Sequence, residues 1–180
     1  MILTFEKFKL FLEKDSKMYD YGCLMVYLNI PNWSEFLSEI NPEHLYQSDN
    51  DRYGFETEPH CTILYGIHND VSDDDVIKLF SDIKVSDFDM IVDGIDCFFN
   101  KDYDVLKLNV KSNKLNQLNE LAKTLPHTSQ YPDYKPHITI GYLQKGNGIK
   151  YIEPKVKFTI DNISKIVYSK TNGEKIDILL

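Results

Sequence analysis

The sequence predicts a single α+β domain of 180 residues, bilobed and internally duplicated, with two mainly antiparallel sheets, flanking helices and a central cleft. Three observations lead there. Strand-like apolar runs outnumber amphipathic helical ones, a seven-residue motif occurs twice, and neither a linker nor a low-complexity tract separates its copies. A folded chain of this length removes roughly 70% of its unfolded surface from water, enough for one core and thin for two.

Phe5, Phe8, Phe11 and Leu12 fall at helical spacing, so a short amphipathic helix opens the chain and residues 1–20 form a helical extension. Residues 22–30 read as a buried strand ended by Pro31, residues 33–40 as a helix, and the polar stretch 41–58 as a loop. Residues 60–67 are strand-like. Ser72 then caps a helix to about Ile83, and Asp73, Asp74 and Asp75 favour its positive N-terminal end, so the acidic triplet needs no metal. Residues 88–99 and 103–110 suit paired strands across the Asn100-Lys101-Asp102 turn, and an amphipathic helix over 113–125 is stopped by Pro126. A loop rich in Pro and Tyr leads into a strand at 137–143. The tail offers strands over 157–168 and 175–180, turning at Asn172-Gly173.

Composition narrows the function classes. No stretch approaches the roughly 20 apolar residues of a membrane-spanning helix, and Glu6, Lys7 and Lys9 stand where a signal peptide would be apolar, so a cytoplasmic protein is expected. Cys23, Cys61 and Cys97 are odd in number, far apart and set in apolar runs, which reads as reduced core thiols. Residues 1–100 hold 7 basic and 20 acidic side chains, net −13, whereas 101–180 hold 13 and 8, net +5. A chain of net charge −8 gains little from counterion release on long nucleic acid, so the expected partner is a small anionic ligand. With Arg52 the sole arginine, a phosphate must be held by histidine, hydroxyl, lysine or backbone N–H groups.

The chemistry lies in the repeat. Pro59-His60-Cys61-Thr62-Ile63-Leu64-Tyr65 matches Pro136-His137-Ile138-Thr139-Ile140-Gly141-Tyr142 at five of seven positions. From composition, P-H-x-T is expected by chance only about 0.009 times in such a chain. In an extended strand residues i and i+2 share a face, so His60 aligns with Thr62 and His137 with Thr139, while Cys61, Ile63, Ile138 and Ile140 turn to the core. Two such faces meeting across one cleft suit cleavage of a phosphodiester without metal. One neutral imidazole takes a proton from the attacking oxygen, the other donates one to the leaving oxygen, and the threonine hydroxyls donate to the non-bridging oxygens. Glu58 two residues before His60, and Lys135 two before His137, suggest His60 as acid and His137 as base.

Paired H-x-T motifs, each opening a strand of a duplicated α+β domain, resemble the two-histidine (2H) phosphoesterase superfamily. The resemblance covers the chain from about Tyr21 to Leu180. It implies catalytic roles for His60, Thr62, His137 and Thr139 and no metal or other cofactor. The wording EPHCTILYGIH resembles a bacteriophage branch that includes anti-CBASS enzymes. That branch implies a small cyclic nucleotide substrate, attack by a ribose 2′-hydroxyl through a 2′,3′-cyclic phosphate, and action in the host-cell cytoplasm. Family members stack bases on aromatic side chains; Tyr27, Phe98 or Phe99, Tyr131 and Tyr134 are the candidates here, with Tyr168 and Glu174 as late tyrosine and acidic candidates.

Three functions stay open on these grounds: a cyclic-oligonucleotide phosphodiesterase, an RNA-processing 2H enzyme acting on 2′,3′-cyclic phosphates or 2′,5′ linkages, and a non-catalytic nucleotide sponge. A zinc site on His60 and His137 lacks a third ligand at motif spacing, and neither G-x-S-x-G nor G-x-x-x-x-G-K is present. His44, His68 and His127 stand outside any H-x-T and read as structural.

Overall fold

The computed structural model describes residues 20–48, 53–84, 88–129, 133–161 and 163–179; the expected opening helix and Tyr131 lie outside them. Strand β1 (Tyr21–Leu28) is followed by helix α1 (Trp33–Ser38), β2 (His60–His68) and α2 (Asp73–Phe80). Then come β3 (Met90–Phe99), β4 (Tyr103–Lys111), α3 (Asn113–Ala122) and β5 (His137–Gln144), and the chain ends with β6 (Glu153–Ile160), β7 (Ile163–Ser169) and β8 (Lys175–Leu179). Ser72 caps α2 by accepting from the Asp75 N–H at 3.1 Å, and Ser112 caps α3 by accepting from Leu115 at the same distance.

The strands form one antiparallel sheet in the order β6-β3-β4-β5-β2-β1-β7-β8. The expectation of two sheets is corrected here. Each half is a four-stranded block, and the blocks join edge to edge where Cys61 pairs with Ile138. The join is short, but it hides the open edges that two separate blocks would expose. The expected strand over 157–168 is two strands in opposite halves of the sheet, β6 at one edge and β7 next to the other edge, because the sequence Asp161-Asn162 breaks its apolar run. Internal symmetry survives this change. Strand, helix and motif strand recur in order as β1-α1-β2 and β4-α3-β5.

The main core occupies one face of the sheet. Leu24, Cys61, Ile63, Ile138, Ile140 and Leu108 point into it, and Trp33, Phe80, Leu115 and Leu118 close it from the helices. Odd-numbered residues of β4 take the other face with the motif histidines. A small apolar cluster of Met25, Tyr27 and Val167, with Cys23 against it, covers part of that face. The three cysteines are free, and burial pushes the Cys61 thiol up to about 11. Among the described residues, no helix is long and apolar enough to cross a membrane.

Candidate active site

The two motifs use the same backbone device. Cys61 and Ile138 are fully buried partners across the join, so the residues flanking each, His60 and Thr62, His137 and Thr139, turn to the opposite face. Pro59 and Pro136, which lack an N–H, present carbonyls that accept from Leu28 on β1 (2.9 Å) and Val110 on β4 (3.1 Å). Each imidazole is then fixed by its own chain. His60 Nδ1 donates to the Glu58 carbonyl at 2.9 Å, and His137 Nδ1 donates to the Lys135 carbonyl at 2.8 Å. A carbonyl only accepts, so both Nδ1 atoms carry the hydrogen and both Nε2 atoms are the ones that can exchange a proton.

Immediately after each H-x-T the strand bulges. Leu24 pairs with Leu64 but Met25 with Thr62, which sets Ile63 off the ladder; Leu106 pairs with Gly141 but Lys107 with Thr139, which does the same to Ile140. The released carbonyls are satisfied by different groups. Asn119 Nδ2 of α3 donates to Ile63 at 2.7 Å, and the Glu56 N–H donates to Ile140 at 2.9 Å. The one motif position where Leu64 becomes Gly141 follows from this: a Cβ at 141 would lie 3.1 Å from the Gly54 carbonyl, on the segment that delivers Glu56.

Glu56 is pinned on both sides, because its carbonyl also accepts from Trp33 Nε1 at 2.8 Å. Its carboxylate accepts from the Glu58 N–H at 3.1 Å and lies 3.8 Å from His60 Nδ1. Glu58, which the sequence pointed to as the acidic neighbour of His60, contributes its carbonyl instead; its carboxylate reaches Lys175 at 3.5 Å. A similar correction applies to His137. Burial lowers its pKa from the ordinary histidine value against the Lys135 carbonyl, and the nearby cation that adds to the lowering is Lys107, together with His60. The pairing of Cys61 with Ile138 puts the residue before each, His60 and His137, on adjacent strands of one sheet.

Two of the expected aromatics flank the histidines. Tyr27 is the cross-strand partner of His60, with ring centroids 5.5 Å apart, and its hydroxyl accepts from Lys175 at 3.0 Å. Phe98 meets His137 edge to face at 4.9 Å. Tyr134 donates its hydroxyl to the Thr62 carbonyl at 2.8 Å, bracing the loop before β5 against β2. A cavity of about 810 Å³ opens beside His137, lined among others by Asp96, Phe98, Lys107, Asn109, Tyr134 and Pro136.

The late candidates go elsewhere. Tyr168 is buried in the main core against Gly22, and Glu174 pairs with Lys170 at 3.1 Å in the β7–β8 turn. Glu56, Asp96, Lys107 and Asn109 were not singled out from sequence. Lys107 carried a signal, as a charge inside the apolar run of β4 on the parity of Asn109, whereas Glu56 in a polar loop carried none. Among the described residues, no three His, Cys, Asp or Glu side chains converge as metal ligands.

Comparison with known proteins accords with this architecture. No curated protein matches the chain. The fold is similar to that of Usb1 from Kluyveromyces marxianus, with a TM-score of 0.57 at 8% identity over 90% of this chain and 99% of that one. The same protein with uridine monophosphate gives 0.54 at 9% identity over the same shares. Residues 31–172 match the 2′-5′ RNA ligase superfamily, a span that contains both H-x-T motifs and most of the sheet. The chain therefore belongs to the 2′-5′ RNA ligase superfamily, the 2H phosphoesterases.

Proposed function

We propose that this protein is a metal-independent phosphodiesterase that linearises small cyclic di- or trinucleotides, 3′,3′-cyclic GMP-AMP among them, and so counters CBASS antiviral signalling in a bacterial host. The observation that carries the chemistry is the duplicated imidazole: His60 and His137 share one sheet face, each with Nδ1 given to a backbone carbonyl. A ribose 2′-hydroxyl attacks the adjacent phosphorus as His137 Nε2 takes its proton. The bond to the 5′ oxygen breaks as His60 Nε2 donates a proton to it, and a 2′,3′-cyclic phosphate forms; water then opens that ring with the two imidazoles exchanging roles. Thr62 and Thr139 donate to the non-bridging oxygens while charge accumulates there.

The acidic charge of the chain supports a small substrate over a long polyanion. The position of Phe98 against His137, and of Tyr27 against His60, supports base contacts on either side of the phosphate. Tyr134 serves by positioning the cavity wall.

The test is incubation in EDTA with 3′,3′-cyclic GMP-AMP, cyclic tri-AMP, or RNA ending in a 2′,3′-cyclic phosphate, with products resolved by chromatography. Linear products from the cyclic nucleotides, with a transient 2′,3′-cyclic phosphate end, are expected. Opening of the RNA terminus alone would move the substrate class to RNA, and stoichiometric binding with intact ligand would replace the enzyme with a sponge.

A further inference from the structure

Lys107 is 3% exposed in the middle of β4, and its neighbours in sequence, Leu106 and Leu108, belong to the main core. Burying an ammonium is costly, and replacing a buried ion pair as a whole by apolar groups of similar volume is commonly neutral or stabilising. The fold contains its own control. Lys107 lies across from Thr139, and the residue across from Thr62 in the other half is Met25, buried in an apolar cluster. The same place in the duplicated sheet is thus filled equally well without a charge, so packing alone does not account for the lysine.

What surrounds the ammonium is built. Lys107 Nζ donates to Asp96 Oδ2 at 3.1 Å and to Asn109 Oδ1, and it sits 4.4 Å from the Phe98 ring centroid. Asn109 is the cross-strand partner of His137, and the Phe98 ring contacts His137 directly. These groups form one wall of the 810 Å³ cavity. Burial works against the Asp96 carboxylate, but the Cys97 N–H and Lys107 outweigh it and hold it ionised. The charged or titratable groups around His137 are Lys107 from β4, Asp96 behind it on β3, His60 and the neutral Cys61 thiol on β2, and Lys135 and the neutral Tyr134 hydroxyl on its own segment.

We propose that Lys107 is a positioning residue that makes the two halves unequal: its fixed positive charge beside His137 commits that imidazole to accepting the proton of the attacking hydroxyl and leaves proton donation to His60. The inference rests on the phosphodiesterase reading for its catalytic consequence but not for its first measurement. Lys107 draws in the anionic phosphodiester while opposing a second positive charge on the neighbouring ring. In the other half the corresponding Met25 carries no charge, and the charged groups near His60 are the Glu56 carboxylate at 3.8 Å and Lys175, which reaches the Tyr27 hydroxyl.

Ring NMR of the free protein tests this without substrate. Lys107→Met, which installs the residue type of the other half and leaves the half-exposed Asp96 carboxylate to solvent, should fold and raise the pH at which His137 titrates; Lys107→Arg should leave that pH near wild type. With substrate, kcat/KM of Lys107→Met should fall about tenfold at pH 6 and by less than about threefold at pH 8. If Lys107→Met does not fold, Asp96→Asn, which removes the counter-charge, should move the His137 titration to lower pH. An unmoved His137 in the folded variants would overturn the proposal, whereas absence of turnover in the wild type would strike the phosphodiesterase reading alone.

Discussion

The His60 half and the His137 half share a backbone and differ in what stands on the neighbouring strand. Both present a proline carbonyl to that strand, both give Nδ1 to the carbonyl two residues back, and both bulge directly after the threonine. Beside His60 the strand carries Tyr27 and Met25 in an apolar cluster; beside His137 it carries Asn109 and the buried Lys107, paired with Asp96. Under the proposed mechanism, the difference is how a symmetric frame would run an asymmetric reaction. Backbone geometry would fix where two proton carriers stand, and the side chains around them would decide which carrier is empty and which is loaded.

The largest effect should come from breaking either carrier. His60→Ala and His137→Ala should each lower kcat by about 10² to 10⁴-fold with unfolding midpoints near wild type, because neither ring belongs to the main core; calorimetry and steady-state kinetics check this. Retained turnover in one variant would show that the halves are not used as a pair. Thr62→Val and Thr139→Val keep shape and remove one donor each, and each should cost roughly ten- to a hundredfold in kcat with little change in KM. A loss from only one of them would sharpen the comparison by locating the developing charge in that half. The smallest effect on rate, and a clear one on stability, should follow Asn119→Leu, which strands the Ile63 carbonyl of the first bulge. Denaturant unfolding should report a loss of about 1 to 3 kcal/mol. No loss would mean that the first bulge, unlike the second, needs no partner.

Much of this was legible in the sequence because it depended on local periodicity. H-x-T at the head of an alternating strand fixes which side chains share a face, and Ser72 before three aspartates marks a helix start. What depended on register was not. The join of two blocks into one sheet rests on the pairing of Cys61 with Ile138, and no local pattern reports it. The sequence puts charged neighbours two residues before each histidine, where Glu58 and Lys135 supply carbonyls; the charged side chains that stand near the rings, Glu56 and Lys107, arrive by a loop and an adjacent strand. The family resemblance makes Tyr168 a late tyrosine candidate, yet its cross-strand pairing with Leu24 turns it into the main core.

The central claim, that imidazoles from two halves serve a single phosphorus, is tested most directly by titrating the protein with a nucleoside 2′,3′-cyclic vanadate, a five-coordinate mimic of the transition state, while following the ring nitrogens of His60 and His137 by NMR. The account predicts that both rings shift along one binding curve with one ligand per chain. Movement of only one ring, or two curves saturating at different ligand concentrations, would contradict it.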